Sequence, residues 1–337
     1  MINFFTQSTI IRFFLLVAFA STIGFGCSTD DDDRTINGVE VSTRYKEAKY
    51  SDIRKHTVDF TGDGSLQMDI YSPDDDDSEE RAVILLAHGG SFIGGTRDMA
   101  DMERMCETFA KHGYVAATMS YRLGAGFQIF FDSLEVLDVV VKAVHDGKAA
   151  VRYLRKSYVE DGNPFRIDTN HIFAGGNSAG AILMLHLAYM RDPSIIPSHI
   201  MTLLNNEGGL EGTRGNENYS SRVHAVINLA GAINQLEYID QSIPIVSAHG
   251  DEDRTVPFDC GPVLTTLPAP EFRNRLCGSG PIHQRAEFFS IPNKLLVFEG
   301  DDHCPWISSN GQPTAKMDEV EKTVIDFLYG QFFKRPI

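Results

Sequence analysis

Residues 171–190 read HIFAGGNSAGAILMLHLAYM, and the decisive question is why a serine stands there between glycines. His171-Ile172-Phe173 has the character of the end of a buried strand, and the run from Ala181 to Met190 has the Ala, Leu and Met content of a buried helix. Between them, Gly176-Asn177-Ser178-Ala179-Gly180 is a G-x-S-x-G sequence. A strand that turns sharply into a helix forces that serine into a strained conformation and lifts its hydroxyl above the sheet, and the flanking glycines remove side chains that would collide. Ser178 is therefore the candidate nucleophile.

The sequence on either side supports such a turn. A hairpin is expected over residues 56–73, around Gly62-Asp63-Gly64. Apolar strands then alternate with helices: AVILLAHGG from Ala82, DMERMCETFAKHG from Asp101, YVAATMSYRL from Tyr114, and a long helix from Asp132 to Ser157. Three further strands follow at VHAVINLAGAI, IPIVSAHGD and NKLLVFEGD, and MDEVEKTVIDFLYGQFF closes the chain as an amphipathic helix. Strands that are apolar throughout, separated by helices, predict an α/β fold with a mostly parallel central sheet covered on both faces. Ligands of such sheets gather beyond the carboxyl ends of the strands. Two stretches interrupt the alternation, residues 191–222 and 258–293, and are read as loops over the active face that shape the substrate site.

A serine hydroxyl needs a base. His303 follows the last strand and is the candidate; His249 reads as part of a turn, His186 as a packed helical residue, and His88 as a brace for its own loop. The acid that orients the imidazole is expected at Asp253, four residues after His249, with Asp251 as its rival. The glycine-rich loop after Leu86 places the backbone N–H groups of Gly90 and Ser91, with that of Ala179, where an oxyanion would form. No Lys-Ser/Thr pair follows these glycines, which argues against a phosphate cradle.

HGGSF, GNSAG, HGDEDRTVP and GDDHCPW, in this order and spacing, together resemble the α/β-hydrolase superfamily. The likeness is to its bacterial esterase/lipase branch, which includes carboxylesterases and feruloyl and acetyl-xylan esterases, and it spans roughly residues 50–333. It implies an α/β-hydrolase fold and a serine carboxylic ester hydrolase working through an acyl-enzyme, with no metal and no organic cofactor. Two positions depart from the pattern. Ser91 stands where related loops carry a third glycine, and Asp302 stands where relatives often have glycine before the histidine. The rival functions are a small serine peptidase, which usually brings a propeller for which this chain has no room, and a non-catalytic glycan-binding lipoprotein on a hydrolase scaffold. A lipase would need a large apolar lid, and both insertions look too polar to supply one.

The chain has 337 residues and a formal net charge of −16, a field that repels phosphate backbones, and no Lys/Arg cluster argues for nucleic acid. The run SPDDDDSEE reads as a solvated turn rather than a calcium site. Residues 1–26 read as a signal peptide of the lipoprotein type, the apolar FFLLVAFASTIGFG being too short to span a membrane comfortably. Cys27 resembles a lipidated first residue, which implies membrane attachment through a lipid anchor only. Residues 27–45 then form an acidic tether, STDDDD resembling the export signal of some surface lipoproteins, and residues 46–333 form one catalytic domain. Of the other four cysteines, Cys260 and Cys277 bracket one insertion and pair most naturally, leaving Cys106 with Cys304. Their spacing matches no zinc pattern. The substrate implied is a small-molecule or polysaccharide ester, acetyl and feruloyl groups being the plausible acyl parts.

Overall fold

The computed structural model describes residues 33–36, 39–240, 242–267 and 274–334. The expected signal peptide and Cys27 lie outside them. Within the expected tether, β1 (Asp33–Ile36) pairs antiparallel with β2 (Val39–Ser42). Tyr45 at the tether's end is already part of the core, its ring against Tyr114 and Phe333 at 4.5 and 4.2 Å and its hydroxyl oxygen accepting the Ala82 N–H. The packed domain therefore begins a few residues before 46.

One eight-stranded sheet organises the rest. Its strands are β3 (Ile53–Asp59), β4 (Gln67–Pro73), β5 (Arg81–Ala87), β6 (Val115–Met119), β7 (Ile167–Asn177), β8 (Ala225–Leu229) and β9 (Ile245–Gly250), with β12 (Asn293–Phe298) last. The short β10 (Cys260–Pro262) and β11 (Arg275–Cys277) form a separate hairpin. The sheet order is β12-β9-β8-β7-β5-β6-β4-β3, antiparallel at β3–β4 and β4–β6 and parallel elsewhere. The helices are α1 (Ala100–Lys111), α2 (Ser133–Glu160), α3 (Ala179–Tyr189), α4 (Ser198–Asn206), α5 (Ser279–Phe288) and α6 (Lys316–Leu328).

The strand pleat divides the core in two. Along β5, Val83, Leu85 and Ala87 point into a cluster with α2, α3, α4 and α5, while Ala82, Ile84 and Leu86 point into one with α1 and α6. Every residue of β5 is buried, which is why the sequence after Arg81, itself paired with Asp76, is apolar without alternation. All of α3 is buried too, so it shows no amphipathic stripe and reads as an all-apolar run. The second half of β7, from Ile172, and the helix it feeds are thus buried throughout.

The insertions hold more structure than loops. The first contains α4, and the second contains the β10–β11 hairpin and α5, whose Ile282 and Ala286 belong to the core. Both have the Gly and Pro of a loop, and α5 (SGPIHQRAEF) lacks a clear apolar period. Cys260 and Cys277 face each other across the hairpin and are disulfide-bonded. The Cys106–Cys304 pairing is not formed: both thiols are free and buried, and Cys304 is engaged elsewhere, as described below.

Closing a loop with a sequence separation of 17 stabilises a protein by about 3 kcal/mol in the chain-entropy account. Reduction of the purified protein is expected to lower Tm by on the order of 5–10 °C, with two additional thiols titrating in denaturant. An unchanged Tm after those two thiols have appeared would show that the hairpin is held by its packing alone.

Candidate active site

The turn predicted at Ser178 is present. Asn177 is the last residue of β7, Ala179 is the first of α3, and Ser178 between them has φ 54° and ψ −118°, a conformation costly for a residue with a Cβ. A Cβ on Gly176 would lie 2.5 Å from the Ala87 carbonyl oxygen, and one on Gly180 would collide with the same carbonyl. The two glycines allow α3 to leave the sheet directly against β5.

The residues named from sequence converge on this turn. The Ser178 hydroxyl donates to Nε2 of His303 at 2.8 Å, and Nδ1–H of His303 donates to Oδ2 of Asp253 at 2.6 Å. Oδ1 of Asp253 accepts the backbone N–H groups of Thr255 and Val256 at 2.8 and 2.9 Å. The rival Asp251 is used otherwise, accepting the Gly300 N–H at 2.6 Å. Asp302 also has a local task. Its Oδ1 accepts the N–H groups of His303 and Arg254 at 2.8 and 2.9 Å, and its Oδ2 pairs with the Arg254 guanidinium. It therefore pins the histidine loop from its backbone side.

Electrostatics follow from these partners. Burial alone would raise the Asp253 pKa, but hydrogen bonds from His249 and His303 hold it well below the usual carboxylate range. Burial pulls His303 down, neighbouring Cys304 and Asp253 push it up, and the upward effect prevails. Cys304 is fully buried and its own thiol is pushed up by that burial, so it is uncharged at neutral pH and Asp253 is the anion that matters. Its S–H donates to Oδ1 of Asn177 at 3.2 Å, tying the histidine loop to the serine turn.

Gly90, Ser91 and Phe92 all have positive φ, at 118°, 55° and 61°, so Ser91 occupies a backbone state that a third glycine would hold without strain. The loop lies against the serine turn: a Cβ on Gly89 would sit 3.4 Å from the Ser178 Cβ. His88 braces the loop as expected. Its Nδ1–H donates to the Gly89 carbonyl at 2.7 Å and its ring stacks on Tyr121 at 4.3 Å. Ala179 begins α3, and a first helical N–H has no partner within its helix.

A largely apolar groove opens from Ser178 and runs along α3. Ala179, Ile182, His186 and Met190 line it at intervals of three and four residues, on one helix face. From Ser178 to Met190 that face extends roughly 18 Å. The opposite wall is the start of α2, with Val136, Leu137, Val140, Val141 and Val144. Val263, Leu264 and Leu276 come from the second insertion, Ile200 comes from α4, and Phe92 and Phe130 also line the groove. His186 is packed, donating from Nδ1 to the Ile182 carbonyl at 2.7 Å, and it also supplies, with Asn234, a polar point in this wall. The sequence reading missed the contribution of α2. Its signal is the stretch LEVLDVVVKAV, which carries apolar residues over more of the helix than one core-facing stripe needs. The Asp132 carboxylate caps this helix by accepting the N–H groups of Leu134 and Glu135, which fixes where the wall begins. The far half of the first insertion lies away from the groove, held by Arg152 and Arg155 of α2 through the carbonyls of Glu211, Gly215, Ser220 and Arg222.

Several known proteins are similar to this chain. Gut esterase 1 of Caenorhabditis elegans is 32% identical over 137 residues, which make up 40% of this chain and 23% of that protein; the chain thus spans under a quarter of that relative's length in the match. Among solved structures, esterase 2 of Thermogutta terrifontis phosphorylated by paraoxon superposes with a TM-score of 0.58 at 21% identity, covering 86% of this chain and 98% of that one. Its propionate-bound form gives 0.56 at 21% identity, with 84% and 96% covered. At such identity these likenesses speak for a shared fold. The BD-FAE family model matches residues 68–238, slightly more than half of the chain and including nearly all of β4, the glycine loop and the serine turn, so the protein, with its α/β-hydrolase fold, belongs to the BD-FAE family.

Proposed function

We propose that this esterase is a serine-dependent carboxylic ester hydrolase in which Ser178, His303 and Asp253 are the catalytic triad. The observation that carries the reading is the line of two hydrogen bonds, 2.8 and 2.6 Å, from a serine at positive φ to a buried carboxylate. His303 Nε2 takes the proton as Ser178 Oγ attacks the ester carbonyl, and Asp253 stabilises the resulting imidazolium. The oxyanion is met by the N–H groups of Gly90, Ser91 and Ala179. Collapse breaks the bond to the alcohol oxygen, which leaves with the proton from Nε2, and the acyl group stays on Ser178. Water deprotonated by the same nitrogen attacks the acyl-enzyme, and loss of the acid restores the serine hydroxyl.

The groove argues for the acyl class. Its walls are Val, Leu, Ile, Met and Phe over roughly three helical turns, so an apolar chain or aromatic ring gains from entering it, whereas acetyl leaves most of it empty. A polar alcohol such as a sugar is better left at the solvent side. Within the carbohydrate-ester reading, the bulkier feruloyl type of acyl group therefore fits better than acetyl. A pure glycan-binding role is disfavoured because its proponents must explain an aligned serine, histidine and aspartate; a peptidase role is disfavoured by the apolar groove. We further propose that the protein is exported and anchored through a lipid on Cys27, where such substrates would be met.

Hydrolysis of para-nitrophenyl butyrate and octanoate by the protein lacking residues 1–26 tests the first reading. Ser178→Ala is expected to abolish turnover and labelling by a phosphonate; turnover equal to the parent would overturn it. Asp253→Asn is expected to lower kcat by about 10⁴ and Asp251→Asn to change it little, so a reversed pair would reassign the acid. Because the base must be neutral and His303 is raised, kcat/KM is lost as pH falls through a value above the roughly 6.5 of free imidazole. Ile182→Trp fills the groove one turn from Ser178 and is expected to suppress octanoate hydrolysis while sparing acetate. Equal loss on both substrates would place the acyl group elsewhere.

A further inference from the structure

Asp253 is contacted by two imidazoles at one oxygen. Oδ2 receives His303 at 2.6 Å, and Nε2 of His249 lies 3.1 Å from the same atom and 3.1 Å from the Val256 carbonyl oxygen. Both neighbours of that nitrogen are acceptors, so Nε2 carries a hydrogen. The arrangement poses a problem for the chemistry above: two bases share one anion, and either could hold the proton that Asp253 stabilises.

The far side of His249 resolves it. Nδ1 is 2.8 Å from Oγ of Ser279. That oxygen accepts an N–H of Asn228 at 3.1 Å, and the other amide N–H of Asn228 goes to Oγ of Ser247 at 3.0 Å. Oδ1 of Asn228 accepts the Gly231 N–H at 3.0 Å, and because a backbone N–H can only donate, the orientation of the amide is fixed. Asn228 therefore donates in both directions, and each serine passes its own hydrogen onward. Ser279 gives it to Nδ1 of His249; Ser247 gives it to Nε2 of His283 at 2.8 Å, whose Nδ1–H ends on Oδ1 of Asn293 at 2.9 Å. Asn228, Ser247, Ser279 and His249 are all fully buried, so no water is needed to complete the chain.

We propose that Asn228 and Ser279 hold His249 neutral, with its hydrogen on Nε2, so that Asp253 is fixed by His249 while its charge serves His303 alone. A proton added to Nδ1 of His249 would meet the Ser279 hydrogen directly, and that hydrogen has no second acceptor among the bonds of the described residues. His249 is thus a positioning residue. The other groups at hand do not replace it. His303 faces Ser178, uncharged Cys304 and, on its own loop, Asp302 paired with Arg254; Asp253 faces only the two histidines and backbone N–H groups; His249 otherwise meets the ring of Phe258. The inference rests on reading Ser178, His303 and Asp253 as the triad.

The test is a pH titration of the imidazole ring nitrogens by nitrogen-15 NMR on the protein without substrate, with His249 assigned from the His249→Gln spectrum. His249 is expected to keep its hydrogen on Nε2 and a lone pair on Nδ1 throughout the range in which His303 titrates. Uptake of a proton by His249 in that range would overturn the proposal. Asn228→Asp keeps the side-chain shape but reverses the direction of donation: Ser279 turns to the carboxylate, Nδ1 becomes a donor, and His249 becomes an imidazolium. The acid limb of kcat/KM then moves to lower pH, with kcat down about tenfold and KM unchanged. His249→Leu removes a donor from Asp253 and moves the limb to higher pH, and His249→Gln, which supplies a neutral N–H, brings it back. A merely structural role would not move the limb in opposite directions, so folded variants that keep the parent limb also overturn the proposal. If Asn228→Asp fails to fold by thermal melting, the parent titration and the two His249 variants decide. Turnover surviving in Ser178→Ala would sink the triad reading separately, since the titration needs no turnover.

Discussion

The structure depends on one turn. β7 must become α3 within a single residue, and that residue must carry a hydroxyl, so the backbone at Ser178 is held at φ 54°, where side chains are disfavoured. Such strain persists only when its surroundings over-determine it. Here they do. The Ser178 N–H donates to the Leu229 carbonyl at 2.8 Å, Gly176 and Gly180 close against Ala87, and every residue of α3 is buried. The central place of β7, with β5 and β8 as neighbours, follows from the same need, because an edge strand would have packing on one side only.

A second constraint is electrostatic, and it is met by saturation. A carboxylate has about four lone-pair positions, and Asp253 fills them with Thr255, Val256, His303 and His249. Burial raises the cost of its charge, and the four donors offset that cost, so the group stays ionised in a place where an isolated carboxyl would bind a proton. The result is a fixed anion behind His303 that needs no solvent. The histidine loop is held from two other directions, by Asp302 on its backbone and Cys304 on the serine turn. All three contacts act on Asp302, His303 and Cys304, three consecutive residues of one loop.

What could be read from sequence follows from how local each signal is. The sheet and its helices were legible because buried parallel strands such as AVILLA, residues 82–87, are apolar throughout and the glycines mark the turn. Ser178, His303 and Asp253 were legible because each lies just beyond a strand end. The choice between Asp253 and Asp251 was not local: both follow β9 within three residues, and only the fold turns one toward His303 and the other toward Gly300. The role of His249 was hidden for the same reason. Its partners come from β8 and the start of α5, about twenty and thirty residues away in the chain, and α5 itself has too weak an apolar period to be seen. The insertions misled because glycine and proline content speaks of turns and says nothing of the short helices between them.

The groove shows why acyl preference is even less legible than mechanism. Mechanism needs particular atoms at particular angstroms, so its residues are few and their types are restricted. A groove needs only apolar surface, which any core helix also needs, and Val136, Val140 and Ile182 look in sequence like residues of the interior. They line the groove because Asp132 starts α2 early enough for its first three turns to form a wall of the space that also holds Ser178. The polar insertions were poor candidates for a hydrophobic cover, and the larger part of that cover is built into a scaffold helix. The buried part of α2, from Val139 onward, packs into the same core cluster as α3 and so fixes the direction in which those first turns run. On the proposed reading, discrimination between acyl groups then comes from the apolar surface that this wall presents beside Ser178.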